Sequence, residues 1–299
     1  YRIMLNNIHC ENTNQWAFKK EPEMTNEEFL LFKSLIYNES GMYFKDTKKE
    51  FIQSRISKRL KAANIKSVYQ YYKYITNNDE GEKELLILLD ALTIGETSFF
   101  RNRPQFDLFR EKVIPEIIEE KRRADSKAIR IWSAGCSTGQ ETYTIAMECF
   151  EAMKKYCFGR AAVPIPEVIG SDISLSALET ARDGIYSKDR IDGIEEKYLK
   201  KYFNSDGKNY KVLDQIRRYT IFDFHNLKNE NGLRDLDIIF CRNVMIYFDI
   251  AEQKRLIDKF YNSLRTGGYL FLGHSETLQG IDNRFRFVYF NKGAAYKRI

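Results

Sequence analysis

The residues able to do chemistry fall in five short stretches, each directly after an apolar run. The first is S-A-G-C-S-T-G-Q-E-T-Y over 133–143, with Gly135 and Gly139 four apart and Glu141 close behind. The others hold Asp172 in G-S-D-I-S, Asp223 with Asn226 and Leu227 in F-D-F-H-N-L, Arg242 and Asn243 in C-R-N-V-M-I-Y-F, and His274 to Glu276 in G-H-S-E. Glycine lets a backbone turn sharply and approach a ligand, because no Cβ intervenes. An ionised carboxylate is an acceptor pair, so Asp172 suits two ribose hydroxyls. Asp223 or Asn226 suits the amino edge of an adenine. These residue types describe a nucleoside site, although a tight strand-to-helix connection uses the same glycines with no ligand at all.

What lies beside the nucleoside decides between ligands. A pyrophosphate needs free N–H groups and positive charge. Here the helix entry supplies Gln140 and Glu141 with no Lys or Arg, and the glycine spacing is not the dinucleotide G-x-G-x-x-G. An acidic entry repels phosphate and suits an amino group or a sulfonium. That favours S-adenosylmethionine over NAD.

The elements that must position these stretches follow from periodicity. Short apolar runs predict parallel strands at 129–133, 167–171, 219–222, 236–241 and 269–273, with helices at 141–157, 174–182 and 250–264. Ligands of open α/β sheets bind beyond the carboxyl ends of the strands, where all five stretches fall. Two further strands, 286–290 and 294–298, flank Asn291-Lys292-Gly293 as a hairpin closing the sheet, as methyltransferase sheets close. Residues 184–218 break the βαβ rhythm. A short helix at 195–202, β runs near 205–213 continuing at 216–219, and the turn Asp206-Gly207 read as an inserted antiparallel flap. Upstream, 24–92 shows four helices and no strand: 25–41 behind a T-N-E-E capping box, 48–63, 67–76 and 79–92. Residues 93–104 link the halves, a helix with a kink at Pro115 covers 105–123, and 1–23 form an irregular lead-in. The expected fold is thus α/β: a Rossmann-like class I S-adenosylmethionine-dependent methyltransferase domain over 105–299 with an inserted small antiparallel β-subdomain, preceded by a small all-α domain.

Composition sets the outer bounds. At 43% hydrophobic and 30% charged residues the chain builds a packed core. A net charge of +6 is compatible with an acidic partner and does not demand nucleic acid. No apolar run is long enough for a membrane span, and no secretion signal opens the sequence given. Five cysteines without C-x-x-C spacing suit a reduced, cytoplasmic chain, with Cys136 and Cys241 as buried thiols. Three dispersed histidines suggest no metal.

Taken together, S-A-G-C-S-T-G-Q-E-T-Y, C-R-N-V-M-I-Y-F, G-H-S-E and the linker's T-S-F-F-R resemble the bacterial chemotaxis receptor methyltransferases, the CheR family, over about 25–299. The resemblance implies O-methylation of glutamate side chains on the cytoplasmic helical bundle of chemoreceptors, with S-adenosylhomocysteine as product. It places Thr97, Arg101, Glu141, Asp172, Asn226, Leu227, Arg242 and Asn243 at the cofactor, beside Gly135 of the loop after the first strand. Gly95 joins them where many members carry Asn; Gln140 and Thr142 stand where Glu and Pro are common. A glutamate is ionised near neutrality, its unperturbed pKa being about 4.3, so it needs no base to attack a methyl. Arg101, Arg242 and Tyr247 are the candidates to orient it, although Arg242 could cap a strand end and Tyr247 could be core. The basic face of Lys48, Arg55 and Arg59, otherwise a solvated helix face, becomes a docking surface for an acidic helix. Members that tether to a receptor's C-terminal pentapeptide have a longer Gly-rich turn than the N-S-D-G-K-N between Phe203 and Tyr210, so no tethering is expected. A monomer is expected. The alternatives are a nucleic-acid methyltransferase, which lacks its N-P-P-Y-type strand end here, and a non-catalytic S-adenosylmethionine-responsive binding module.

Overall fold

The structure, a computed structural model, describes residues 23–77, 79–158 and 163–299, so all of the expected lead-in except Glu23 lies outside the described residues. Four helices come first: α1 (Asn26–Ser40), α2 (Lys49–Ala62), α3 (Val68–Asn77) and α4 (Asp79–Leu92). The capping box is formed. Thr25 Oγ1 accepts from the Glu28 amide at 3.1 Å, and the Glu28 carboxylate accepts from the Thr25 amide at 2.9 Å. Gly41, at φ 75°, ends α1 in the left-handed conformation that only glycine takes cheaply. Phe32, Ile36, Ile52, Ile56, Tyr71 and Leu88 fill the space between these helices.

One polar network runs through that core. Arg59 on α2 donates from Nε and Nη2 to the two carboxylate oxygens of Glu84 on α4, at 2.8 and 2.7 Å. The Tyr71 hydroxyl on α3 donates to Glu84 Oε1 at 2.7 Å. Burial, and the carboxylate that accepts its proton, push the Tyr71 phenol far above its ordinary value.

The helix expected over 105–123 is three segments: α5 (Arg103–Leu108), a π-helical stretch Phe109–Val113, and α6 (Ile114–Arg123). The irregularity precedes Pro115 rather than following it. Proline has no N–H to donate into the preceding turn, and the wider π turn absorbs that loss.

The α/β unit follows as β1 (Ala128–Ala134), α7 (Gln140–Tyr156), β2 (Ile165–Asp172), α8 (Leu175–Asp183), β3 (Ile185–Ser187), α9 (Glu196–Tyr202), β4 (Phe203–Ser205), β5 (Asn209–Val212), α10 (Asp214–Arg217), β6 (Thr220–Phe224), β7 (Leu236–Cys241), α11 (Ile250–Ser263), β8 (Leu264–Leu272), β9 (Phe285–Phe290) and β10 (Gly293–Arg298). The main sheet has the order β6-β2-β1-β7-β8-β10-β9, and only β10 runs antiparallel to its neighbours. Strand order reverses between β1 and β7, which is where such sheets open a crevice. Side chains alternate across it. Ile131 and Phe240 face the helices α5 to α7, whereas Trp132 and Ile239 face α11. The rings of Phe240 and Phe271 stack with centroids 4.4 Å apart.

Three expectations are corrected. The flap is a three-stranded sheet, β3-β5-β4, whose strand β3 was not anticipated, and the run expected at 216–219 is the end of the helical turn α10, which buries Ile216, and the turn after it. Thr266-Gly267-Gly268, ahead of the strand expected at 269–273, lies within a strand that begins at Leu264. It is a bulge inside β8, because pairing with β7 steps from Leu236–Leu264 to Ile238–Tyr269. The strand expected at 219–222 extends to Phe224 and so takes in Asp223.

Arg59, Glu84 and Tyr71 tie three helices together. Glu84→Ala, which strands a guanidinium and a buried phenol, lowers unfolding stability by about 2 kcal/mol. Chemical unfolding measures this, and a loss below about 0.5 kcal/mol would remove the network from the account of this unit.

Candidate active site

A cavity of about 520 Å³ lies at the β1/β7 crevice and is closed from above by the end of α4 and the linker after it. Such a volume is within the range of small-molecule sites. Every residue expected at the cofactor lines it: Gly95, Thr97, Arg101, Gly135, Glu141, Asp172, Asn226, Leu227, Arg242 and Asn243, and Tyr247 with them. Lys48, Arg55 and Arg59 do not.

The loop after β1 is shaped by steric necessity. Gly135 has φ 79°, and a Cβ there would lie 2.5 Å from Val244 Cγ2. The backbones after β1 and β7 therefore approach as only glycine allows. The loop then folds over the end of β2. The Ser137 amide donates to Asp172 Oδ2 at 2.7 Å, and the Ser174 amide to Oδ1 at 2.9 Å. A carboxylate has about four acceptor positions, so each oxygen keeps one free. Burial pushes the Asp172 carboxyl up, against the pull of those amides. Ser137 Oγ donates to the Gly95 carbonyl at 3.1 Å. A Cβ at 95 would sit 3.0 Å from Ser137 Oγ, so glycine suits this close approach of the linker.

Glu141 opens α7 directly below. Its Oε1 accepts from Ser133 Oγ at 2.8 Å, and its Oε2 from Arg242 Nη1 at 3.3 Å. Arg242 also donates to the Arg101 carbonyl, and its guanidinium lies 5.2 Å over the Phe106 ring. Its buried Nε has no partner. Burial pushes the Glu141 carboxyl up and the Arg242 guanidinium down, each opposed by the other's charge. Arginine starts so high that Arg242 keeps its charge.

The remaining residues separate into cavity and support. Arg101 donates from Nη1 to the Glu96 carbonyl at 2.9 Å and keeps its other donors available. The Tyr247 hydroxyl donates to the Ile94 carbonyl at 3.3 Å. Asn226 uses Nδ2 on the Glu39 carbonyl at 2.6 Å, which clips the loop after β6 to the end of α1. Asp223 is exposed and off the cavity, because it is held inside β6. Glu276 acts from behind: it accepts from the amides of Gly273 at 2.6 Å and Asn243 at 3.0 Å, and His274 does not reach the cavity. Cys136 and Cys241 are buried thiols, and burial pushes both far above the range of a reactive cysteine. Lys48, the N-cap of α2, is exposed; on α2 itself Arg55 lies 5.0 Å over the Phe51 ring, whereas Arg59 is held by Glu84 and is no free cation.

Residues not anticipated also line the cavity, His225, Asp90 and Ser176 among them. His225 follows β6 with a buried Nε2 that has no partner. Its neighbours F-D-F and N-L marked the loop, but nothing in the pattern singled out the imidazole.

This donor set fits S-adenosylmethionine. Asp172 offers acceptors for ribose hydroxyls, Glu141 offers negative charge to an amino group or sulfonium, and the bare backbone at Gly135 admits a close neighbour. The Gly135 contact gives a direct test. Gly135→Ala costs about 2 kcal/mol of stability through overlap and backbone strain. Val244→Ala in the same chain restores the steric part, so unfolding of the double variant shows coupling of more than about 0.5 kcal/mol; simple additivity would rule out the contact.

Comparison with known proteins agrees with this geometry. The profile described as "CheR methyltransferase, all-alpha domain" matches residues 27–93, and that described as "CheR methyltransferase, SAM binding domain" matches residues 95–294. A chemotaxis protein methyltransferase of Borreliella burgdorferi is 38% identical over 277 residues, covering 91% of this chain and 95% of that protein. Chemotaxis protein methyltransferase 2 of Vibrio cholerae is 35% identical over 278 residues, covering 91% of this chain and 93% of that protein. The order of the two matched segments is the order of the helical and α/β units around the cavity, and the chain belongs to the CheR methyltransferase family.

Proposed function

We propose that this chain is a protein-glutamate O-methyltransferase acting on glutamate side chains of the cytoplasmic helical bundle of chemoreceptors. The observation that carries this reading is the partition of charge around the cavity. Glu141 and Asp172 are sunk into its walls and engaged by the protein, while Arg101 stands in the linker with donors to spare. The relatives named chemotaxis protein methyltransferases support the choice of acceptor.

When bound, S-adenosylmethionine would supply a methyl group on a positively charged sulfur, whose transfer to an already ionised carboxylate breaks the S–CH3 bond, leaves S-adenosylhomocysteine and needs no base. The chain's own residues then have to orient and to exclude water. Asp172 and Glu141 hold the cofactor's hydroxyls and positive charge. Arg101 meets the incoming carboxylate. Arg242 holds Glu141 and the linker carbonyl with two of its five N–H donors, and the others are left to orient the acceptor. Tyr247 braces the linker at Ile94 beside the acceptor's path.

The receptor helix docks on the outer face of α2 through Arg55 and through Lys48 at its N-cap, while Arg59, neutralised by Glu84, stays within the helical core. The protein works as a monomer in the cytoplasm, and no helix among the described residues is long and apolar enough to cross a membrane. The turn between β4 and β5, closed by Asp206 Oδ1 accepting from the Lys208 and Asn209 amides, leaves no extended Gly-rich loop for a tethering pentapeptide.

Tritiated S-adenosylmethionine and receptor-bearing membranes test the reading: label enters receptor protein and leaves as methanol in alkali. Base-stable label, or label in nucleic acid, sinks it. Arg101→Ala lowers kcat by about a hundredfold while the Kd for S-adenosylhomocysteine moves less than about threefold. A receptor C-terminal pentapeptide shows no binding by calorimetry, and a micromolar Kd would overturn that part.

A further inference from the structure

Asp90 belongs to the helical unit, near the end of α4, yet its carboxylate reaches across to the α/β unit. Oδ1 accepts from Ser174 Oγ at 2.5 Å and from Ser176 Oγ at 3.1 Å, and Oδ2 accepts from the Ser176 amide at 3.3 Å. Ser174 is the N-cap of α8, and its Oγ accepts from the Ala177 amide at 3.0 Å. The Ser174 amide in turn donates to Asp172 Oδ1. Asp90 and Asp172 both line the cofactor cavity.

A serine hydroxyl has one hydrogen and two lone pairs. Donation to Asp90 fixes the hydrogen and so turns a lone pair toward the Ala177 amide. The first turn of α8 also presents the positive end of its dipole, which favours a carboxylate there. Both effects hold Ser174 in one place, and its amide can then hold Asp172.

We propose that Asp90 is a positioning residue for the cofactor: through Ser174 it fixes the carboxylate of Asp172, and it latches the helical unit to the wall of the cavity. The cofactor site is therefore shared between the units, with one part of it in the segment matched as the all-alpha domain. An opposing effect exists, since the charge of Asp90 disfavours charge on Asp172. Asparagine separates the two, because it keeps an acceptor oxygen and removes the charge.

The test uses the full chain and S-adenosylhomocysteine as probe, so it does not depend on the acceptor's identity. Asp90→Ala raises the calorimetric Kd about tenfold and raises KM for the cofactor in step, with kcat at saturation within about twofold. Asp90→Asn recovers most of that affinity. The proposal is overturned by an unchanged Kd in Asp90→Ala, by Asp90→Asn being as weak as Asp90→Ala, or by a fall confined to kcat. Should Asp90→Ala not fold, Ser176→Ala replaces it: a rise in Kd of about threefold supports the latch, and an unchanged Kd overturns it.

Discussion

The buried pair of Glu141 and Arg242 is the constraint on which the site depends. It joins residues 101 apart in sequence, the first turn of α7 and the loop after β7. Burying both charges is costly, and attraction between them only offsets that cost when their other hydrogen-bonding positions are also met. Ser133 meets one on the carboxylate, and the Arg101 carbonyl meets one on the guanidinium. The second of these is the reason the linker follows the path it does. Arg101 is held by its backbone, which leaves its side chain at the cavity.

The helical unit is fastened to the same region by groups that α1 lacks. No basic residue stands in the last turn of α1, where exposed carbonyls favour one. Lys228 of the α/β unit fills that place, donating to the Tyr37 and Asn38 carbonyls, and Asn226 takes the Glu39 carbonyl. The Tyr37 hydroxyl donates to Asp249, the N-cap of α11, and Met42 pairs with Phe248. Helix termini of one unit are therefore completed by the other. That arrangement makes the cavity between them a property of the whole chain.

Much of this was legible in the sequence because it is local. The capping box at Thr25, the strand at 236–241 and the hairpin around residues 291–293 follow from neighbours a few places apart. Glu141, Asp172, Asn226, Arg242 and Asn243 were legible because each follows an apolar run that had to be a strand, and the resemblance supplied Gly95, Thr97 and Arg101, which follow none. What escaped is non-local. Strand β3 has three residues, too few for a period to show, and forms only because β5 pairs with it. The bulge at 266–268 exists because β7 needs Tyr269 in register. Arg59 shares a helical stripe with Arg55, and only the position of Glu84, 25 residues on, turns it inward. Asp90 gave no signal of its own, because its partners lie more than eighty positions away.

A site that esterifies carboxylates has to keep its own from reacting. On the proposed reading, Glu141 and Asp172 stand next to an electrophile meant for another carboxylate. Each of their oxygens already accepts from one protein donor: Ser133 and Arg242 on Glu141, backbone amides on Asp172. Donors of that kind draw electron density from an oxygen and hold it in place, so it neither turns toward the methyl nor attacks it well. An acceptor glutamate arriving from water carries no fixed partners until it meets Arg101. The hydrogen bonds that build the cavity thus also separate the carboxylates that bind from the one that reacts. A glutamate at 141 is compatible with the chemistry because Arg242 is buried beside it.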